Sequence, residues 1–221
     1  MVNLLPLIIG AALLPVWIIM TLFLLRTEHG VRKALAFVVG AIAVRLVQGI
    51  LFGYVFGASA TAEGEEGSSL IVATLLLVVG ILLLVSAFKS WRKEEDPDAP
   101  PPKWMARFDQ LSTLHALGMG ALLMAVSIKQ WVFTLSAIAV IEEAQLMGAA
   151  AIATYLGFVL AAQSLMVAPI IFCMVAPTKS ASALDTLQGW LERNNRTILL
   201  WVSLIFGLWS SWKGIAGLMG W

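Results

Sequence analysis

The sequence lacks most of the chemistry on which enzymes and disulfide-stabilised domains depend. Its single cysteine, Cys173, lies in an apolar run, so neither a disulfide framework nor a CxxC redox pair can form. The two histidines, His29 and His115, have no partners at metal-ligand spacing, and no paired acids, Ser/His arrangement or phosphate loop accompanies them. We therefore expect no enzymatic activity and no cofactor.

Charged residues are also scarce. They make up 12% of the chain, about half the usual share of a globular protein, whereas 60% of the 221 residues are hydrophobic. A soluble chain of this length could not bury so much apolar surface. The net charge of +1 gives no indication of a nucleic-acid partner. The composition predicts an integral membrane protein surrounded by membrane lipids.

Six apolar stretches are long enough to cross the bilayer as helices, which takes about 20 residues for a core roughly 30 Å thick. They predict an all-α fold with six transmembrane helices, at 4–25, 34–56, 70–88, 117–141, 147–176 and 198–219. The first stretch is preceded by no lysine or arginine and followed by no A-x-A-like site. We interpret it as a retained span rather than a signal peptide.

Basic residues between the spans predict the orientation of the chain. Cytoplasmic loops are enriched in lysine and arginine. Here the basic loop residues all follow the first, third or fifth span, and the other loops and both termini carry none. Loops one, three and five are therefore expected to be cytoplasmic, with both termini outside. The basic residues in these loops are Arg26, Arg32, Lys33, Lys89, Arg92, Lys93, Lys103, Arg107, Lys179, Arg193 and Arg196.

A charged, proline-rich segment divides the chain into two halves. Residues 1–93 and 117–221 each contain three spans, and 94–116 forms a cytoplasmic linker with an interfacial helix predicted from Trp104, Phe108 and Leu111. Because three is odd, the second half must insert upside down relative to the first. This arrangement predicts a 3+3 inverted repeat, a common plan of secondary transporters with a midplane binding site.

Three basic residues, Arg45, Lys129 and Lys213, lie inside predicted spans. All 13 acidic residues lie in loops or at span borders, so no carboxylate is available to Arg45 and Lys129 near the bilayer midplane. Such residues usually mark a substrate path or a polar cavity. Helix carbonyls, water or an anionic ligand would have to satisfy both cations. Lys213, near the outer end of its span, could line the same path or extend to the interface beside Trp212.

Further polar and helix-breaking residues accompany these cations. Pro15 removes a backbone donor midway along the first span, and Pro169 does so in the fifth. We predict a substrate-binding site for an anionic lipid or small anion; its residues are Arg45, Lys129, Gln130, Pro15, Ser127, Gln48, Gln163 and Lys213. Small-residue stripes in the second and fifth spans permit close helix packing, either within the chain or in a homodimer.

Several short segments resemble one family of membrane proteins. Leu14-Pro15, the turn from Leu25-Arg26 through residues 30–37, and Ser127-Ile128-Lys129 are similar to the glycolipid- and sulfolipid-addressing (GAP or Sap-like) proteins of the lysine-exporter (LysE) superfamily. Related exporters often carry Asn-Pro-Lys in the fourth span. Here Lys129 matches the lysine, whereas Ser127 and Ile128 replace Asn and Pro. That replacement weakens the expectation of a helix break there. The resemblance implies a bacterial cytoplasmic membrane and outward movement of envelope glycolipids.

The sequence leaves three functions open. The first is an exporter that moves an anionic envelope lipid through the midplane cationic site. The second is a non-transporting accessory protein of an envelope-lipid export machinery. The third is an exporter of a small amino acid or an inorganic anion.

Overall fold

The described parts of the chain fold into helices, and within each part short breaks separate one helix from the next. The computed structural model describes the backbone of residues 4–92 and 111–219, without the side chains of 54–69, 71, 72, 75, 177–179 and 181. The proline-rich linker and the predicted interfacial residues Trp104 and Phe108 lie outside the described residues. The helices are α1 (Leu4–Ala12), α2 (Pro15–Leu25), α3 (Gly30–Arg92), α4 (Thr113–Val126), α5 (Ile128–Glu143), α6 (Gly148–Ala162), α7 (Ser164–Val175) and α8 (Pro177–Leu218).

Three of the predicted spans consist of two helices that meet at a bend. The bend is 46° between α1 and α2, 70° between α4 and α5, and 59° between α6 and α7. By length and composition, Gly30–Gly53 and Ser182–Leu218 could each cross a membrane, and each bent pair could do so as one broken span. The described residues thus contain 2 to 5 candidate spans, and the count of six stays a prediction.

The predicted loop between the second and third spans is instead helical. α3 continues through residues 57–69, so the backbone stays helical between the predicted spans 34–56 and 70–88, whose membrane boundaries stay predictions. This segment contains no proline, the strongest helix breaker, and six of its residues are alanine or glutamate, both good helix formers, beside Gly57, Gly64 and Gly67. Acidic composition suggested a solvated loop but did not require one.

The contacts at the two ends of α3 require this helix to bend. Arg45 bonds to Gln130, the neighbouring Lys129 bonds to Ser203, and Arg196, seven residues earlier in α8, bonds to Ser90. Those links keep residues 45 and 90 within about 50 Å, whereas a straight helix would separate them by about 68 Å. The two arms of α3 therefore pack into one bundle, and the same hydrophobic core contains Phe37 and Leu83.

Glycines bring the arms of α3 close to their neighbours. A Cβ atom built on Gly120 of α4 would collide with the carbonyl oxygen of Phe37, and one on Gly40 would collide with that of Leu117. In the second arm, a Cβ on Gly214 of α8 would lie 2.5 Å from the backbone nitrogen of Leu77. Both seams depend on the missing side chains, which allow two backbones to approach within van der Waals contact.

α8 begins well before the predicted span at 198–219. Its first part carries Leu184 and Leu191, which are buried against Ile18 and Leu22 of α2. An ion pair between Arg26 and Asp185 also joins α2 to this part of α8. The first part of α8 is therefore docked on α2 and continuous with the predicted span that follows it.

We expect Arg196→Gln to loosen the contact between α8 and the end of α3. The Arg196 guanidinium donates to the carbonyl oxygens of Ser90 and Trp91 at 2.9 and 2.7 Å, and so satisfies acceptors in the last turn of α3. Thermal unfolding in micelles should show a loss of about 1–2 kcal/mol. Arg193→Gln, at an exposed arginine one turn earlier, is the control, and equal losses in both variants would contradict the capping role.

Candidate functional site

Two of the helix breaks share one backbone conformation. Leu14, before Pro15, has φ −71° and ψ 107°, and Ser127 has φ −77° and ψ 98°. Each is a single extended residue that redirects the chain into a new helix. At Leu14 the cause is visible in the sequence, because Pro15 occupies the first helical position, where its missing N–H costs nothing. Each break exposes the N-terminus of a helix within an apolar bundle.

The break at Ser127 forms without a proline. The carbonyl of Ala125 loses its helical partner there, and the indole Nε1–H of Trp131 donates to it at 2.6 Å. The backbone N–H of Ser127 still bonds to the carbonyl of Leu123, so α4 ends cleanly. The weakened expectation of a break at Ser127-Ile128-Lys129 is corrected, since a tryptophan side chain compensates for the lost hydrogen bond.

Arg45 is the most deeply buried charged residue that the structure describes, with 0% exposure. Its Nη2 donates to Oε1 of Gln130, in the first turn of α5. The hydroxyl of Tyr155 donates to the backbone carbonyl of Arg45 at 2.6 Å. The guanidinium carbon lies 5.3 Å from the ring centre of Phe158, within range for a cation–π contact. Helices α3, α5 and α6 thus meet around one cation.

Much of the hydrogen-bonding capacity at this point is unused. Within the described part of the chain, Nε and Nη1 of Arg45 have no hydrogen-bond partner. Gln48 is one turn further along α3 and 3% exposed, and both of its amide atoms are likewise unpartnered there. Buried polar groups without partners carry a desolvation cost, which is greatest for a charge. An anion could restore the missing interactions and balance the charge.

Lys129 extends from the same turn of α5 towards a different helix. Its Nζ donates to the hydroxyl of Ser203 in α8 at 3.3 Å, and the side chain is partly buried. Gln130 therefore contacts the Arg45 guanidinium directly. Lys129 is the preceding residue of α5, and its own hydrogen bond is to Ser203. Lys129 and Gln130, the partner of Arg45, are adjacent in the first turn of α5, and joint binding of one ligand by Arg45 and Lys129 stays a prediction.

The other predicted residues occupy separate positions. Pro15 begins α2, and Gln163 forms the break between α6 and α7, where its Nε2 lacks a partner among the described residues. That break lies six residues before Pro169, around which α7 remains helical. Lys213 lies 3.9 Å from Glu143 at the far end of α5, in a partly exposed ion pair. Lys213 thus belongs to a second, peripheral cluster.

Sequence reasoning did not identify four residues that the geometry adds. Tyr155, Phe158, Ser203 and Trp131 contact Arg45, Lys129 or the Ser127 break. Aromatic residues and serine are common in apolar helices, so their types alone carried no signal. Tyr155 offered a clue, because the chain has only 2 tyrosines and a buried phenol needs a hydrogen-bond partner.

Comparison with known proteins covers almost the whole chain. The family described as "Sap, sulfolipid-1-addressing protein" matches residues 4–216, a range that contains every helix break and both central cations. The chain belongs to the Sap family. The resemblance to Sap-like proteins, stated from Leu14-Pro15 and Ser127-Ile128-Lys129, is therefore confirmed, whereas membership of the LysE superfamily stays a prediction. No curated protein and no solved structure gives a match. Sap membership together with the long apolar helices identifies a membrane protein.

Proposed function

We propose that this Sap-family protein is a multi-pass exporter of the bacterial cytoplasmic membrane that moves an anionic envelope lipid outward. The observation that carries the proposal is Arg45, fully buried, with two guanidinium nitrogens unpartnered among the described residues. A permanently charged group in a low-dielectric interior is costly unless an opposite charge approaches it. The family description names a sulfolipid, whose negative head group would supply that charge.

The proposed topology has six spans, two inverted halves and both termini outside. Basic loop residues favour this orientation. The matching conformations of Leu14 and Ser127 support the repeat, since each lies in the first broken helix of its half. In such transporters, broken helices direct their positive N-termini at anionic groups. The starts of α2 and α5 would fulfil this role, with Lys129 and Gln130 in the first turn of α5.

Arg45, Gln130 and Lys129 would bind the head group, and Gln48 and Gln163 would offer further polar contacts. The breaks at Pro15, Ser127 and Gln163 would allow the helix halves to move relative to one another. We further propose that the protein has no enzymatic activity and no cofactor. An accessory protein of an export machinery, with no transport of its own, is the second candidate. The exposed Leu187 and Trp190 in the first part of α8 would be its docking surface.

Transport in vesicles tests the proposal. We expect purified protein to move a fluorescent anionic glycolipid between leaflets, and Arg45→Gln and Lys129→Gln to reduce the rate at least about tenfold, or 1.4 kcal/mol. Lys213→Gln, at the peripheral ion pair, is the control and should retain most of the rate. A small-anion exporter would instead release entrapped phosphate, sulfate or amino acid. Absence of all transport with correctly folded protein would favour the accessory function.

A further inference from the structure

Two apolar grooves open on the outside of the bundle, and each has a wall residue close to the buried Arg45, namely Phe158 in the first and Gln48 in the second. The first, about 470 Å³, lies between α1 and α6, and Phe158 forms part of its wall. The second, about 380 Å³, lies between α3 and the α4–α5 break. Both volumes are within the range of small-molecule sites, about 300–1,000 Å³. Such grooves on a membrane protein adjoin lipid chains rather than water.

The two grooves differ in what lies at their base. In the first, the hydroxyl of Thr154 is already bonded to the carbonyl of Ala150 at 2.8 Å. In the second, Gln48 lines the wall, and both of its amide atoms lack partners among the described residues. Arg45 follows one turn behind it, with two unpartnered nitrogens. Of these two grooves, the second has in its wall an amide side chain without a partner in the described part of the chain, although the amide atoms themselves are covered rather than open to the groove.

The rim of the second groove is apolar and rigid. Val47 and Leu51 are 62% and 55% exposed, so they face the surroundings of the bundle. Trp131 closes the other wall, held by its bond to Ala125 and by an edge-on contact with Phe52 at 5.5 Å between ring centres. An apolar chain can lie along these side chains without desolvating any group that needs water. The wall is formed at the Ser127 break itself.

We propose that the α3–α5 groove, lined by Val47, Gln48, Leu51, Ala125 and Trp131, is a lateral binding site for one acyl chain of an anionic membrane lipid. The acyl chain lies between Val47 and Trp131, and the head group meets the Gln48 amide once that side chain turns into the groove, with Arg45 one turn behind it in α3. The amide both donates and accepts, so it suits a head group with acidic oxygens and a hydroxyl. This inference rests on the proposed function only in taking Arg45 as the anion site.

Photolabelling tests the groove independently of transport. The full-length protein in nanodiscs is exposed to phosphatidylglycerol or phosphatidylcholine with a diazirine in the acyl chain, and labelled residues are located by peptide mass spectrometry. We expect phosphatidylglycerol to label the groove residues about tenfold more than other lipid-facing side chains, a ratio equal to 1.4 kcal/mol. Phosphatidylcholine should show much less preference. Even labelling around the bundle by both lipids would overturn the proposal.

Two variants and a control sharpen the result. Val47→Trp should fill the groove and remove the excess labelling, whereas Val39→Trp, at another exposed position of α3, should leave it unchanged. Gln48→Leu should keep the groove but abolish the preference for phosphatidylglycerol. Persistence of the excess in Val47→Trp would contradict the site. Intact groove labelling without any lipid transport would preserve this inference and reject the proposed function.

Discussion

Leucine in place of Gly120 is expected to prevent α4 from docking on α3. The new side chain would meet the carbonyl oxygen of Phe37, and a backbone atom cannot turn aside as a flexible side chain can. Overpacking in well-packed interiors costs about 1–3 kcal/mol, and a clash with backbone along a helix seam exceeds that range. We expect a loss of at least about 3 kcal/mol, measured by reversible unfolding in mixed micelles followed by tryptophan fluorescence.

Gly118→Leu provides a matched control on the same helix. A Cβ at Gly118 would meet nothing within 4 Å, and the position is exposed. Leucine favours helix over glycine by nearly 1 kcal/mol, so this control should be neutral or stabilising in the same assay. Equal destabilisation by the two substitutions would show that the loss comes from α4 itself rather than from its contact with Phe37. The close approach of α4 to α3 would then not depend on Gly120.

The consequences of the Gly120 substitution should extend to the cationic site. α4 ends at Val126, and its position fixes where α5 starts and hence where Gln130 meets Arg45. A displaced α4 would separate these two side chains even in a chain that still inserts. Any folded fraction of Gly120→Leu should therefore show reduced transport, whereas Gly118→Leu should transport at the normal rate.

The site illustrates how far the sequence could be interpreted. Arg45 and Lys129 were recognisable because charge in an apolar run is costly, and the positions of the acids excluded a carboxylate partner. Gln130 was a candidate only as a neighbour of Lys129, yet the structure has it in direct contact with Arg45. That contact depends on the 70° bend between α4 and α5, which sets the direction of the first turn of α5. A bend of this kind has no local sequence signal when proline is absent.

The helix boundaries show a similar limit. Continuous apolar composition identified regions that could cross a bilayer, but hydropathy does not register a break such as Gln163 inside one of them. The opposite error occurred at 57–69, where polar composition predicted a loop and the backbone stays helical. Both errors have one cause. Hydropathy reports the environment of side chains, whereas helix continuity depends on backbone hydrogen bonds and on the groups that replace them.

Replacing Arg45 and Gln130 together by apolar residues is expected to separate stability from function. In Arg45→Met/Gln130→Leu, both partners of the buried hydrogen bond disappear, so neither is left unsatisfied. Replacing a buried ion pair with apolar groups of similar volume is often neutral or stabilising by about 1–4 kcal/mol, and among the described residues Arg45 lacks even the opposite charge of such a pair. Because two nitrogens of Arg45 have no partner in the described part of the chain, we expect the double variant to unfold at the same or a higher temperature.

The same variant should lose the response to lipid. Anionic lipid at 100 times its dissociation constant should stabilise the natural protein by about 2.7 kcal/mol, and the double variant should show no such gain and no transport. Thr134→Val, which removes a buried hydroxyl from the same helix, is the control and should keep both properties. If the double variant were instead less stable by more than about 2 kcal/mol, Arg45 would be a structural residue. A residue that destabilises the unliganded protein but is required for activity has a role in ligand binding rather than in helix packing. The unfolding temperature and the response to lipid, measured on the same variant, distinguish these two roles of Arg45.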